Sequence, residues 1–124
     1  MKASDPSAVA LAFNDCITRH DVDGISALMS EDHLFVDREG RADSSRRSMT
    51  RGWEEFFLAF PNYRNTFLRI ESKGDLVIML GYAYWDEGNR HDPAIWVARI
   101  AGGLVAEWRI YYDTEENRKK FWLA

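Results

Sequence analysis

An α+β fold, with helices first and an antiparallel sheet after them, is predicted by three observations. Up to Pro61, large apolar residues recur at helical spacing, and from about residue 63 the period drops to two. The two-periodic runs are separated by Lys73-Gly74, by EGNRHD and by Gly102-Gly103, turn chemistry that folds successive strands back on one another. Helices ahead of such a meander cover one of its faces.

Asp5 and Pro6 open the first helix, an acceptor at the cap followed by proline at the first turn. Val9, Phe13, Cys16 and Ile17 then form its apolar stripe to about His20. Asp21 caps a second, short helix that turns Val22, Ile25, Leu28 and Met29 inward and ends before Glu31-Asp32. Its DVDG opening is a capped turn and not a calcium loop, because Ile25 stands where an oxygen ligand is needed and Ser26 replaces the required glycine.

Residues 33–37 form a strand in which His33, Phe35 and Asp37 share one face while Leu34 and Val36 share the other. REGRADSSRR reads as a polar loop. Met49, Trp53, Phe56, Phe57 and Phe60 then mark a third helix from about Arg46 until Pro61 stops it. Strands follow near 63–72, 75–86, 93–100 and 103–113.

With 124 residues, 46% of them hydrophobic and 14% aromatic, the chain has the size and apolar content of one domain spanning residues 1–124. A formal net charge of −4 disfavours nucleic acid and acidic membrane surfaces as partners. Cys16 is the only cysteine, and no apolar run approaches the roughly 18 residues of a membrane span. No hydrophobic signal region is read in MKASDPSAVALAF, so a cytoplasmic location is expected. His20, His33 and His91 are too dispersed for a metal site. Arg46 and Arg47 open the third helix without a glycine-rich phosphate cradle and are read as solvated.

The element order, with the stretches DVDGISALMSEDHLFVDREG, GWEEFFLAFPNY and GGLVAEWRIYYD, resembles the nuclear transport factor 2-like superfamily, in particular its SnoaL-like and ketosteroid-isomerase-like branches. The resemblance implies a cone-like fold of three N-terminal helices packed on a strongly curved, mostly antiparallel sheet. It also places Asp37 where the isomerases carry their proton-shuttling aspartate. Phe13 stands at the position of their tyrosine donor, and Ile95 or Trp96 at that of their acidic donor. Each donor lost forfeits on the order of 3 kcal/mol of oxyanion stabilisation, which argues against the usual steroid isomerase. The epoxide-hydrolase branch places an arginine two residues before an acid on one strand, and no Arg-x-Asp occurs on the four later strands.

These readings make Asp37 and His33 the catalytic candidates, although about 13 Å of extended strand separates them. Phe35, Trp53, Phe57, Tyr63, Trp96, Trp108 and Tyr112 are the candidate substrate-binding residues. By the same resemblance Trp108, Ile110 and Tyr112 face the pocket while Glu107, Arg109, Tyr111 and Asp113 face away. Desolvation is expected to raise the Asp37 carboxyl pKa, and a protonated His33 within reach to lower it again. The function implied is a pocket for a small, largely apolar organic molecule, with cofactor-independent proton transfer of isomerase, cyclase or dehydratase type. The alternative is a non-catalytic ligand-binding or accessory dimer. A homodimer through the outer sheet face, with Tyr84 and Tyr111 in the contact, and docking of Phe121, Trp122 and Leu123 onto the body of the same or the partner subunit complete the expectations.

Overall fold

The computed structural model describes residues 5–88 and 91–124. Helix α1 (Pro6–Arg19) begins where the Asp5 carboxylate accepts from the Ser7 N–H, and it stops at His20, whose left-handed backbone (φ 57°) turns the chain. Helix α2 (Val22–Leu28) is capped by Asp21, which accepts from the Gly24 N–H at 3.0 Å. Strand β1 (Met29–Val36) follows without a loop, so Met29, expected in the helix, and the Glu31-Asp32 pair, expected before the strand, both belong to the strand.

The polar loop is more structured than its composition suggests. Asp37 donates its N–H to the Arg41 carbonyl at 2.9 Å, and Gly40 takes a φ of 83°. This tight turn brings β2 (Ala42–Ser44) back antiparallel to β1. Helix α3 (Arg46–Ala59) starts at Ser45, whose hydroxyl accepts from the Ser48 N–H. The four later strands are β3 (Arg64–Lys73), β4 (Leu76–Tyr84), β5 (His91–Ala101) and β6 (Leu104–Tyr112). Of the EGNRHD connection, residues 89 and 90 lie outside the described residues, as do residues 1–4 of the N-terminal stretch, while His91 and Asp92 already belong to β5.

One sheet holds all six strands in the order β2-β1-β6-β5-β4-β3, antiparallel except where β1 runs parallel to β6. Register shifts at Phe67/Arg69 and Arg99/Ile100 curve it, as bulges do. Gly81 faces the first shift, where any Cβ would strike the Thr66 carbonyl and lie 2.9 Å from the Phe67 Cα. The concave side carries the main core, in which Phe13, Ile17 and Ile25 of the helices meet Val77, Met79, Trp96 and Trp108 of the sheet. Among the described residues no helix is long and apolar enough to cross a membrane.

The convex side has its own small core. A fourth helix, α4 (Glu115–Lys120), is capped by Thr114, with acids in its first turn and bases in its last, in agreement with the helix dipole. It delivers Phe121 and Leu123 onto Ile78, Ile95 and Val97 of the same chain, and Phe121 packs on Tyr111 with ring centroids 4.7 Å apart. Trp122, between Phe121 and Leu123, is 52% exposed in the single chain and lies against the Lys73 ammonium, 5.1 Å from the ring centroid.

Candidate functional site

Helix α3, the end of β1 and the concave sheet face enclose a cavity of about 540 Å³. Its wall is aromatic because α3 repeats Trp53, Phe56 and Phe60 toward it, while the strands and their ends supply Phe35, Tyr63, Trp85 and Trp96. Edge contacts hold these rings in place, among them Phe35 to Trp53 at 6.1 Å and Phe56 to Tyr63 at 4.8 Å. Among the described residues, the charged part of the lining comes from a single segment, with Asp37, Arg38, Glu39, Arg41 and Asp43.

Of the residues singled out in the sequence, Phe35, Asp37, Trp53, Tyr63 and Trp96 line this cavity. Four others stand elsewhere. His33 is fully buried beneath Phe13 of α1, with ring centroids 6.0 Å apart, and its Nδ1–H donates to the Val105 carbonyl at 2.7 Å. Phe57 stacks on His20 at 4.0 Å, and Trp108 packs on Phe13 at 4.9 Å, so both belong to the core. Tyr112 is 44% exposed and donates its hydroxyl to Glu39 Oε2 at 2.6 Å.

Sequence reasoning missed Arg38 and Trp85 as wall residues. Trp85 lies just past β4, where the period of two no longer applies. Its indole N–H donates to Asp92 Oδ2 at 2.8 Å. By contrast, the indole N–H groups of Trp53 and Trp96 are buried without an acceptor among the described residues, so these two present rings and not donors to the cavity.

Asp37 reverses its expected electrostatics. Burial, the largest single influence, does push its carboxyl upward. Backbone N–H bonds from Arg41 and Glu39, both at 2.9 Å, and the Arg41 guanidinium at 3.0 Å together outweigh it and hold the pKa below the ordinary carboxylate value. The group is therefore ionised and well solvated by the turn it organises. Burial pushes the Tyr63 phenol far above its ordinary range, so that hydroxyl keeps its proton.

The sequence model of the SnoaL-like domain family matches residues 10–108. The chain belongs to this family. No curated protein matches this SnoaL-like domain by sequence. Solved structures share its fold at low identity. A protein from Shewanella putrefaciens CN-32, provisionally described as a SnoaL-like polyketide cyclase, is 16% identical with a TM-score of 0.77, over 99% of this chain and 89% of its own. A provisional ketosteroid isomerase from Kribbella flavida DSM 17836 is 16% identical with a TM-score of 0.75, over 88% and 78%. An NTF2-like protein of unknown function from Cytophaga hutchinsonii ATCC 33406 is 11% identical with a TM-score of 0.75, over 98% and 99%.

In the SnoaL-like domain described here, His33 is a stability element. A carbonyl can only accept, so Nδ1 bears the proton and Nε2 is a lone pair buried without a partner among the described residues. Burial is the main influence and holds the imidazole pKa below its ordinary value. Between that lowered value and about 6.5, the unfolded chain binds a proton that the folded chain refuses. Stability is therefore present above about pH 6.5 and is lost as the pH falls below it. Melting temperatures across this range should fall for the parent and fall less steeply for His33→Gln; equal slopes would remove His33 as the cause.

Proposed function

We propose that this SnoaL-like domain holds a small, largely apolar organic molecule in its aromatic cavity and moves a proton on it without a cofactor. Asp37 is the base, in a reaction of isomerase, cyclase or dehydratase type. One observation carries this reading: an ionised carboxylate stands on the wall of a cavity whose other walls are mostly aromatic rings. Such walls strip water from an apolar substrate and hold its acidic C–H against a fixed base, which is what general-base catalysis requires. The provisional cyclase and isomerase among its structural neighbours support the same reaction class.

The alternative is ligand binding without turnover, and it rests on a different observation. The contacts from Arg41 that depress the Asp37 pKa also weaken it as a base. A cytoplasmic location and a homodimer through the part of the convex face left by the tail, near Tyr84, belong to either version.

A titration with bicyclic aromatic ketones tests the proposal. Saturable quenching of the cavity tryptophans Trp53, Trp85 and Trp96 is expected, together with chain-dependent exchange of the ketone's α-protons in deuterated water followed by NMR. Saturable quenching without exchange would leave only the binding version. Neither signal across the series would end both.

A further inference from the structure

We propose that Arg38 recognises an anionic oxygen on the molecule that occupies the cavity, either a carboxylate or the enolate formed when a proton is removed. This deepens the cavity reading above and rests on it.

The argument is a count of donors and acceptors. Arg38 lines the cavity, and its side chain is only 23% exposed. Its guanidinium lies over the Tyr112 ring, 4.8 Å from the centroid, and reaches one acid, Asp92, at 3.5 Å. That same Asp92 oxygen already accepts the Trp85 indole N–H at 2.8 Å. Five N–H donors in a fixed fork thus have one long ion-pair contact among the described residues.

The other acids of the lining are engaged elsewhere. Asp37 is bound by Arg41, Glu39 accepts from the Tyr112 hydroxyl, and Asp43 accepts from the Ser48 hydroxyl at 2.9 Å and 3.1 Å. Arg41 itself is 79% exposed and paired with Asp37. Among the described residues Arg38 is therefore the sheltered cation on this wall with hydrogen-bonding capacity still open, Arg41 being mostly in solvent, and the aromatic surroundings strengthen any charge-assisted bond it makes.

The placement also suits the proposed chemistry. Phe13 is buried in the core and Trp96 has its N–H closed off, so neither supplies an oxyanion donor. Arg38 follows Asp37 directly in the chain and shares its cavity. When Asp37 takes a proton from carbon, the electron pair of the broken C–H bond moves to the carbonyl oxygen, and a guanidinium on the same wall stabilises that charge.

Naphthoate and its neutral counterpart naphthamide, titrated by calorimetry at neutral pH, provide the test. The parent chain should bind naphthoate at least about tenfold more tightly, the scale of one charge-assisted hydrogen bond. Arg38→Gln should erase that preference, with naphthoate affinity falling at least about tenfold relative to naphthamide. Arg38→Met, which keeps the stem against Tyr112, gives the same readout if the glutamine variant does not fold. A preference that survives both substitutions overturns the role of Arg38. Equal binding of the two probes by the parent overturns the anion preference while the cavity reading stands, and binding of neither overturns the cavity reading and this inference together.

Discussion

Asp37→Asn should lower chain-dependent α-proton exchange at least about a hundredfold, the usual scale for removing a general base. The substitution is clean because it leaves the turn in place: an asparagine oxygen still accepts the Glu39 and Arg41 backbone N–H groups that Asp37 Oδ1 now accepts at 2.9 Å. What it removes is the charge and the 3.0 Å contact to Arg41. Arg41 is 79% exposed, so that pair contributes only about 0.2–1 kcal/mol to stability. A loss of rate in a chain that melts near the parent temperature is therefore a loss of chemistry. Arg41→Gln gives the opposite perturbation: without the guanidinium the Asp37 carboxyl pKa rises, and the acidic limb of the exchange profile moves to higher pH. Exchange at the parent rate in Asp37→Asn would eliminate this residue as the base.

The largest effect on stability is expected from Trp108→Ala, which should cost about 3–5 kcal/mol in denaturant or thermal unfolding. Trp108 is 1% exposed and packs against Phe13 at 4.9 Å, where α1 meets the centre of the sheet. Removing the indole leaves a cavity between two elements that cannot collapse onto one another without moving the helix. Such a loss is a large part of the roughly 5–15 kcal/mol by which domains are stable. Because Trp108 does not line the ligand cavity, the folded fraction should bind naphthamide as the parent does. A cost below about 1 kcal/mol would contradict the core role assigned to Trp108.

The elements that could be read in advance share one property, which is that their signals are local. Asp5-Pro6, Asp21 and Pro61 set the helix limits through capping and backbone geometry, and the period of two set the meander. Strand β2 and helix α4 were not legible for a common reason. Ala42–Ser44 are all exposed and carry no alternating apolar pattern, so they form a strand only because the Asp37–Arg41 turn returns them to β1. Glu115–Lys120 have no buried residue, and the helix serves to place Phe121 and Leu123 on the convex face.

By itself, the sequence determined the fold class, the family resemblance and, along residues 33–36, the alternation of side chains between faces. Tertiary structure alone decided how deep along a face each residue lies. His33 and Phe35 share a face of β1, yet Phe13 of α1 closes over His33 while Phe35, with Asp37 in the turn beyond the strand, opens to the cavity. The two strand tryptophans divide in the same way, with Trp96 on the wall and Trp108 under α1. Periodicity fixes a direction because it follows from the backbone repeat of one element, whereas depth depends on where a helix distant in sequence packs across the sheet. Arg38 makes the point most sharply, since Asp92 and Tyr112 reach it only through the pairing of β1, β6 and β5. Nothing near position 38 in the chain encodes how little of its hydrogen-bonding capacity they take up.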